Sequence, residues 1–312
     1  MKWNKLGRIV YAEQSDIAWF KKNVMVPVPY LIDQNCLRIF ATFCDEKNIG
    51  RIGYIDVNPQ NPTEIIKIHP EPIIDIGTDG HFDDNGVVTS SIYKDGEKLY
   101  LYYSGYQLQD KVPYTIFSGV ALSEDNGNTF HKLSCNVPIL DRDSHEIFTR
   151  CAPFVMKIGD HYRVWYTGDS ADRWIVRDQK LAPVYDLKYF DTDSLLDWQG
   201  KVGAESVRLI GDDEHGIAKS TIWQEDGVFK IIYSIRSITN GYRLGYGESL
   251  DGTRFERMDD QIGISVSESG WDSEMIAFAE RVDVNGRVYM FYCGNHYGLE
   301  GFGCAELVVS HD

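Results

Sequence analysis

One kind of strand recurs along the chain, and that recurrence constrains the fold more than any other feature. Its five copies are "LRIFATF" (37–43), "LYLYYSG" (99–105), "YRVWYTG" (162–168), "FKIIYSI" (229–235) and "VYMFYCG" (288–294), aromatic runs that end on small or polar residues. Aligned, they place Ala41, Tyr103, Tyr166, Tyr233 and Tyr292 in register, with gaps of 62, 63, 67 and 59 residues. A near-constant period of this length is the mark of a repeat architecture. A turn precedes each copy: "DQN" at 33–35, "KDG" at 94–96, "IGD" at 158–160, "EDG" at 225–227 and "VNG" at 284–286. An apolar run precedes each turn, so every copy reads as a hairpin.

A third element follows each hairpin, for example "SGVALSEDNGNTF" (118–130) and "YRLGYGESLDGTRF" (242–255). Two of these elements close on a Ser-x-Asp turn ahead of Phe130 or Phe255, and a third on Thr-Asp-Ser ahead of Trp198, each leading into a fourth, outer strand. Up to four antiparallel strands per copy, with no convincing amphipathic helix between them, predict an all-β chain folded as a five-bladed β-propeller, one domain over residues 1–312. The competing all-β arrangement is a two-sheet sandwich. In the propeller, "RIVYAE" near the N-terminus is expected to pair with the last blade and protect its edge.

Composition narrows function. With 31 basic and 47 acidic residues the net charge is −16, which repels phosphate backbones and anionic lipid, so no nucleic-acid partner is expected and neutral or cationic ligands are favoured. No window approaches the roughly 20 apolar residues of a membrane span, and no membrane insertion is expected. The six cysteines, Cys36, Cys44, Cys135, Cys151, Cys293 and Cys304, lack CxxC spacing and read as reduced core thiols, which implies a cytoplasmic setting.

In a propeller the residues just before each first strand converge on the axis. Here they are 23–26, 83–84, 146–150, 214–219 and 272–274, and four of the five sets carry acids or bases. The run Asp83-Asp84-Asn85-Gly86 is by itself a solvated turn, but its place in the repeat points to carboxylates gathered at a channel mouth. Crowding of that kind raises some carboxyl pKa values and leaves others ionised, as general acid/base chemistry needs.

In order along the chain, "FDDNGV", "GVALSEDNGNTF", "YRLGYGESLDGTRF", "GWDSEM" and "GNHYGLEGFGCAEL" resemble the five-bladed propeller superfamily of glycoside hydrolases that includes the invertase, arabinanase/xylosidase and β-mannoside phosphorylase families. The likeness covers essentially the whole chain and is closest to a bacterial group associated with surface-polysaccharide gene clusters. The resemblance implies a glycosidase acting in the cytoplasm on a small saccharide or activated sugar, with acidic residues as catalysts. Asp84, Glu214 and Glu274 are the catalytic candidates, with Glu274 as general acid, and Glu146 is a further acid of unfixed register. In the first blade "KKNVMVPVP" carries no acid at the place where these families usually have an Asp. A non-catalytic glycan-binding propeller and an inverting phosphorylase or glycosyl transferase therefore stay open.

Arg150, Lys219 and Arg236 are expected to hold phosphate or a sugar carboxylate. Asp83 and Asp272 complete the acidic mouth. Trp174 is read either as a stacking platform for sugar or as a pin for its long loop. Asn295 and His296 in "CGNHYG" are of types that recognise hydroxyls. No second His lies at ligand spacing and no Gly-rich phosphate loop follows a strand into a helix, so no metal and no cofactor is expected in the chemistry.

Overall fold

The computed structural model describes residues 1–14, 16–133, 136–177 and 179–308; Cys135 lies outside them. β1 (Trp3–Val10) stands apart from the strands that follow it in the chain. β2 (Val24–Asp33), β3 (Cys36–Cys44), β4 (Gly50–Asn58) and β5 (Asn61–Ile68) form an antiparallel meander. The same order repeats in β6 (Val87–Asp95), β7 (Lys98–Leu108), β8 (Tyr114–Ser123) and β9 (His131–Lys132). It repeats again in β10 (Thr149–Ile158), β11 (His161–Arg177), β12 (Lys180–Thr192) and β13 (Ala204–Val207), and in β14 (Glu214–Glu225), β15 (Val228–Ser237), β16 (Gly241–Ser249) and β17 (Glu256–Arg257).

The last unit, β18 (Ala277–Val284), β19 (Arg287–Cys293) and β20 (Phe302–Leu307), takes its fourth strand from the other end of the chain. β1 pairs antiparallel with β20, from Trp3 opposite Leu307 to Val10 opposite Phe302. "RIVYAE" was expected at this edge, and its first three residues, Arg8 to Val10, lie in β1. The chain is thus nearly all β, and the aligned aromatic strands are β3, β7, β11, β15 and β19, the second strand of every unit.

Those strands read as unbroken apolar runs because both of their faces are buried. Leu101 and Tyr103 pack with Phe40 and Tyr54 of the first unit, whereas Tyr102 between them packs with Val164 and Tyr166 of the third. Trp165 turns to Ile231 and Tyr233 of the fourth, and Ile232 to Met290 and Tyr292 of the fifth. Tyr289 and Phe291 then return to Ile39 and Ala41 of the first. The period-two alternation of a strand sends neighbouring side chains into different cores between units.

The tyrosines lie flat because of what faces them. Gly119 and Gly245 sit opposite Tyr103 and Tyr233, and a Cβ at either glycine would come within 2.3 Å of the ring. In the Ser-x-Asp turn after β8, the Asp125 carboxylate accepts from the Thr129 N–H and hydroxyl at 2.9 and 2.7 Å, and so turns the chain into Phe130.

The residue after each aligned position, Thr42, Ser104, Thr167, Ser234 or Cys293, joins its unit to the next. Thr42 Oγ1 accepts from the Thr89 N–H at 2.9 Å, Ser104 Oγ from Ala152 at 2.9 Å, and Ser234 Oγ from Phe278 at 2.8 Å. Thr167 donates to the Ile217 carbonyl at 3.4 Å, and Cys293 Sγ accepts from the Val26 N–H at 3.1 Å, linking the fifth unit to the first. The acceptors are met at bulges: every first strand breaks register near these residues. Val26, Ala152, Lys219 and Phe278 there adopt φ of 52, 51, 39 and 55°. A left-handed backbone is costly for valine above all, and the side-chain acceptors hold it in place. Ser234→Ala leaves the part-buried Phe278 N–H without its partner and is expected to cost about 1 kcal/mol in urea unfolding, against no more than about 0.5 kcal/mol for the exposed Ser265→Ala; equal effects would show that the links bear no load.

Candidate functional site

The five bulged strands converge on one cavity of about 790 Å³. Its floor is Val26, Thr89, Ala152, Lys219 and Phe278, one residue from each first strand. Ser104, Thr149 and Thr167 add hydroxyls, and Cys44 and Cys151 add thiols that burial pushes up, Cys44 to about 12. Tyr106, Tyr114, Tyr185, Tyr242 and Tyr297 line the walls, and Lys22 and His296 stand at the exposed rim. Burial pushes the Tyr106, Tyr114 and Tyr242 phenols well up, so at neutral pH they are hydroxyl donors. Among the described residues, no aspartate or glutamate lines the cavity.

The predicted carboxylates lie elsewhere, and the structure does not bring Asp84, Arg150, Glu214 and Glu274 together in this cavity. Asp84 stays in its turn, where it accepts from the Gly80 N–H at 2.8 Å. Glu214 takes both arms of Arg257 at 2.6 and 2.7 Å and the Ile210 N–H at 2.8 Å. The Glu274 side chain is 66% exposed, 3.3 Å from His296 Nε2. Trp271, three residues before Glu274, stacks on Tyr292 at 5.2 Å. Arg150 is buried against Glu146 at 3.0 Å and Asp143 at 3.4 Å. Trp174 packs on Phe148 with centroids 4.3 Å apart, on the hairpin arm where β11 and β12 overrun their unit, and does not line the cavity. Of the predicted set, Lys219, Arg236 and His296 reach the cavity.

The recurring acids share a set of contacts. Asp83 accepts from Tyr103 at 3.2 Å and from Lys132 of β9 at 2.6 Å. Glu146 accepts from Tyr166 at 2.6 Å and pairs with Lys188 of β12 at 3.0 Å. Asp272 accepts from Tyr292 at 3.0 Å and from Lys5 of β1 at 2.6 Å. These three carboxylates each tie the loop before a first strand to a second-strand tyrosine and to a cation from the third or fourth strand. In the fourth unit Asp259 accepts from Tyr233 at 2.5 Å, and Arg257 joins it to Glu214. The first unit has Ala41 in place of tyrosine, and Asn23 there donates to the His296 and Tyr297 carbonyls instead. The residues three places after the aligned positions also cap these loops. Asp169 accepts from the Ile147, Phe148 and Thr149 N–H groups, and Asn295 from Glu274 and Met275.

Around the cavity the cations differ in their company. Lys219 is tied to the buried Glu280, whose carboxyl burial pushes up. Arg236 lies near hydroxyls: Tyr185 Oη at 3.5 Å and Tyr297 Oη at 3.3 Å, with its guanidinium carbon 5.8 Å from the Tyr242 ring centroid. The sequence reading missed the cavity tyrosines. Counting three residues past the aligned positions gives Cys44, Tyr106 and Arg236, three residues of the wall, and would have exposed part of it.

No family model matches the chain. The uncharacterized protein Rv1502 of Mycobacterium tuberculosis (strain ATCC 25618 / H37Rv) is 31% identical over 307 residues, covering 98% of this chain and 99% of that one. The chain belongs to the Rv1502 family. Protein MT1551 of strain CDC 1551 / Oshkosh matches to the same extent. The fold is that of the propeller-type glycoside hydrolases. BT0996, solved as an RGII complex, superposes with a TM-score of 0.72 at 14% identity, over 97% of this chain and 90% of that one. A thermostable family-43 glycoside hydrolase gives 0.70 at 11% identity, over 97% and 94%.

Two outcomes test the site's supports. Lys5→Met strands the buried Asp272 and is expected to cost about 3 kcal/mol in urea unfolding, and adding Asp272→Asn should recover part of that loss; additive costs would mean that the two do not act as a pair. The second concerns pH. Burial pushes the Asp169 carboxyl up from 3.8 to about 6 against three backbone N–H donors. A folded-state pKa above the unfolded one favours folding while the group holds its proton, and this contribution is lost as pH rises from about 4 through about 6. Asp169→Asn, which puts at this place the residue that Asn295 already is in the fifth unit, should remove that loss, on the order of 2 kcal/mol, from stability measured between about pH 4 and 7. An unchanged pH slope would contradict it.

Proposed function

We propose that the chain is a single-domain, five-bladed propeller of glycoside hydrolase type whose central cavity binds a saccharide without hydrolysing it. The observation that carries this reading is the lining: all five first strands contribute to the cavity, and among the described residues none that lines it is an aspartate or glutamate. Glycoside hydrolysis of the usual kind needs two carboxyl groups flanking one bond, about 5–10 Å apart. Here the acids of the repeat are spent on tyrosines and cations outside the cavity. What lines it is suited to recognition: hydroxyl donors, aromatic faces for sugar C–H surfaces, and a volume within the usual range of a small-molecule site. We place this activity in the cytoplasm, in surface-polysaccharide metabolism, where the thiols stay reduced.

A panel of aryl glycosides, tried with and without inorganic phosphate, tests the reading together with thermal shifts for mono- and disaccharides. No turnover above buffer is expected, at least one saccharide should raise the melting temperature, and Asp84→Asn, Glu214→Gln and Glu274→Gln should each leave that shift in place. Turnover abolished by any of the three substitutions would restore the acid-catalysed hydrolase.

A further inference from the structure

The chain carries a net charge of −16, yet the cavity is lined by Lys22, Lys219 and Arg236 and, among the described residues, by no acid. Such a contrast runs against the preference for neutral or cationic ligands that the total charge implies. Lys219 is spoken for, since Glu280 pairs with it. Lys22 is exposed at the rim. Arg236 is half-buried, and among the described residues no carboxylate pairs with it.

The repeat shows how unusual that position is. Residues three past the aligned positions are Cys44, Tyr106, Asp169, Arg236 and Asn295. In the third and fifth units the residue turns to cap the backbone of the loop before the first strand. In the fourth unit that role is dropped: the Ile238 N–H and the Asp213 carbonyl, and the Asp213 carboxylate with Thr239, tie the loop instead. Arg236 is thereby released to face the cavity. Its guanidinium points among the Tyr185 and Tyr297 hydroxyls, with Tyr185 also bonded to Tyr242. A planar fork beside phenolic donors matches two oxygens of one oxyanion. A wholly neutral ligand would desolvate this guanidinium and return no counter-charge.

We propose that the saccharide taken by the cavity carries an anionic group, a carboxylate or a phosphate, held by Arg236 with the Tyr185 and Tyr297 hydroxyls. This rests on the reading of the cavity as a saccharide site. The rest of the sugar then lies over the hydroxyls of Thr89, Thr149 and Thr167 and against Phe278, all of which line the same space.

The test is calorimetric titration of the full chain with D-glucuronate, D-galacturonate and D-glucose 6-phosphate, beside D-glucose, D-galactose, acetate and inorganic phosphate. At least one anionic sugar should bind more tightly than its neutral parent. Arg236→Met should weaken that binding at least about 10-fold, the loss of one charge-assisted contact, while Arg236→Lys restores part of it. Tyr297→Phe, a change at the exposed rim, should weaken anionic sugars alone and serves if Arg236→Met does not fold. Neutral and anionic sugars binding alike, or Arg236→Met without effect, would overturn the anionic assignment and leave the saccharide reading standing. Inorganic phosphate or acetate binding as tightly as the sugar acids would do the reverse, and binding of none of these probes would overturn both.

Discussion

A tyrosine hydroxyl handed to a carboxylate is the contact on which this structure depends. In four units a second-strand tyrosine donates to an acid, three of these lying in the loop before the first strand, and a Lys or Arg from the third or fourth strand closes the other side. In the second, third and fifth units the loop that leads into the centre is thereby tied to two strands of its own unit. Asp83, Glu146 and Asp272 are buried to 2% exposure or less, so each is tolerable only while hydroxyl and cation are both present. The last cation, Lys5, comes from the opposite end of the chain, so closing the fifth unit also completes its polar contact.

With the loops fixed, the first strands enter the centre at a set height and there bulge. A bulge leaves one residue without a ladder partner and re-aims its side chain, and in four units such a residue, Val26, Ala152, Lys219 or Phe278, lines the cavity. Ser104, Ser234 and Cys293 accept the N–H groups of bulge residues, and Thr42 that of Thr89 beside one, so the links between units and the shape of the site are one set of contacts. Local strain at Val26, Ala152, Lys219 and Phe278 is thus held by neighbouring units.

Much of the fold was legible in the sequence because strands buried on both faces announce themselves as aromatic runs, and because tyrosine at a fixed register cannot recur by chance over so many copies. The repeat also singled out Asp83, Glu146 and Asp272 at corresponding places, and in the structure each receives a tyrosine hydroxyl. A carboxylate placed for chemistry and one placed to receive a tyrosine hydroxyl occupy the same position in a repeat, and only side-chain direction separates them. A sign was present nonetheless: the one copy with Ala41 instead of tyrosine is also the copy with Asn23 and no acid, as expected if the two residues serve each other. The cavity lining was less legible because bulges leave no periodic trace, and because Tyr185, Tyr242 and Arg236 are brought together from separate strands. Trp174 stood out by residue type and Glu274 by its place before the fifth first strand, and neither lines the cavity.

The most direct measurement is a crystal structure of the protein with D-glucuronate bound. This account predicts the sugar among the five bulged strands, its carboxylate on Arg236, and no sugar atom within hydrogen-bond reach of Asp83, Glu146, Asp259 or Asp272. A sugar whose ring lies between two of the protein's carboxylates, at the roughly 5–10 Å separation of a hydrolytic pair, would contradict it.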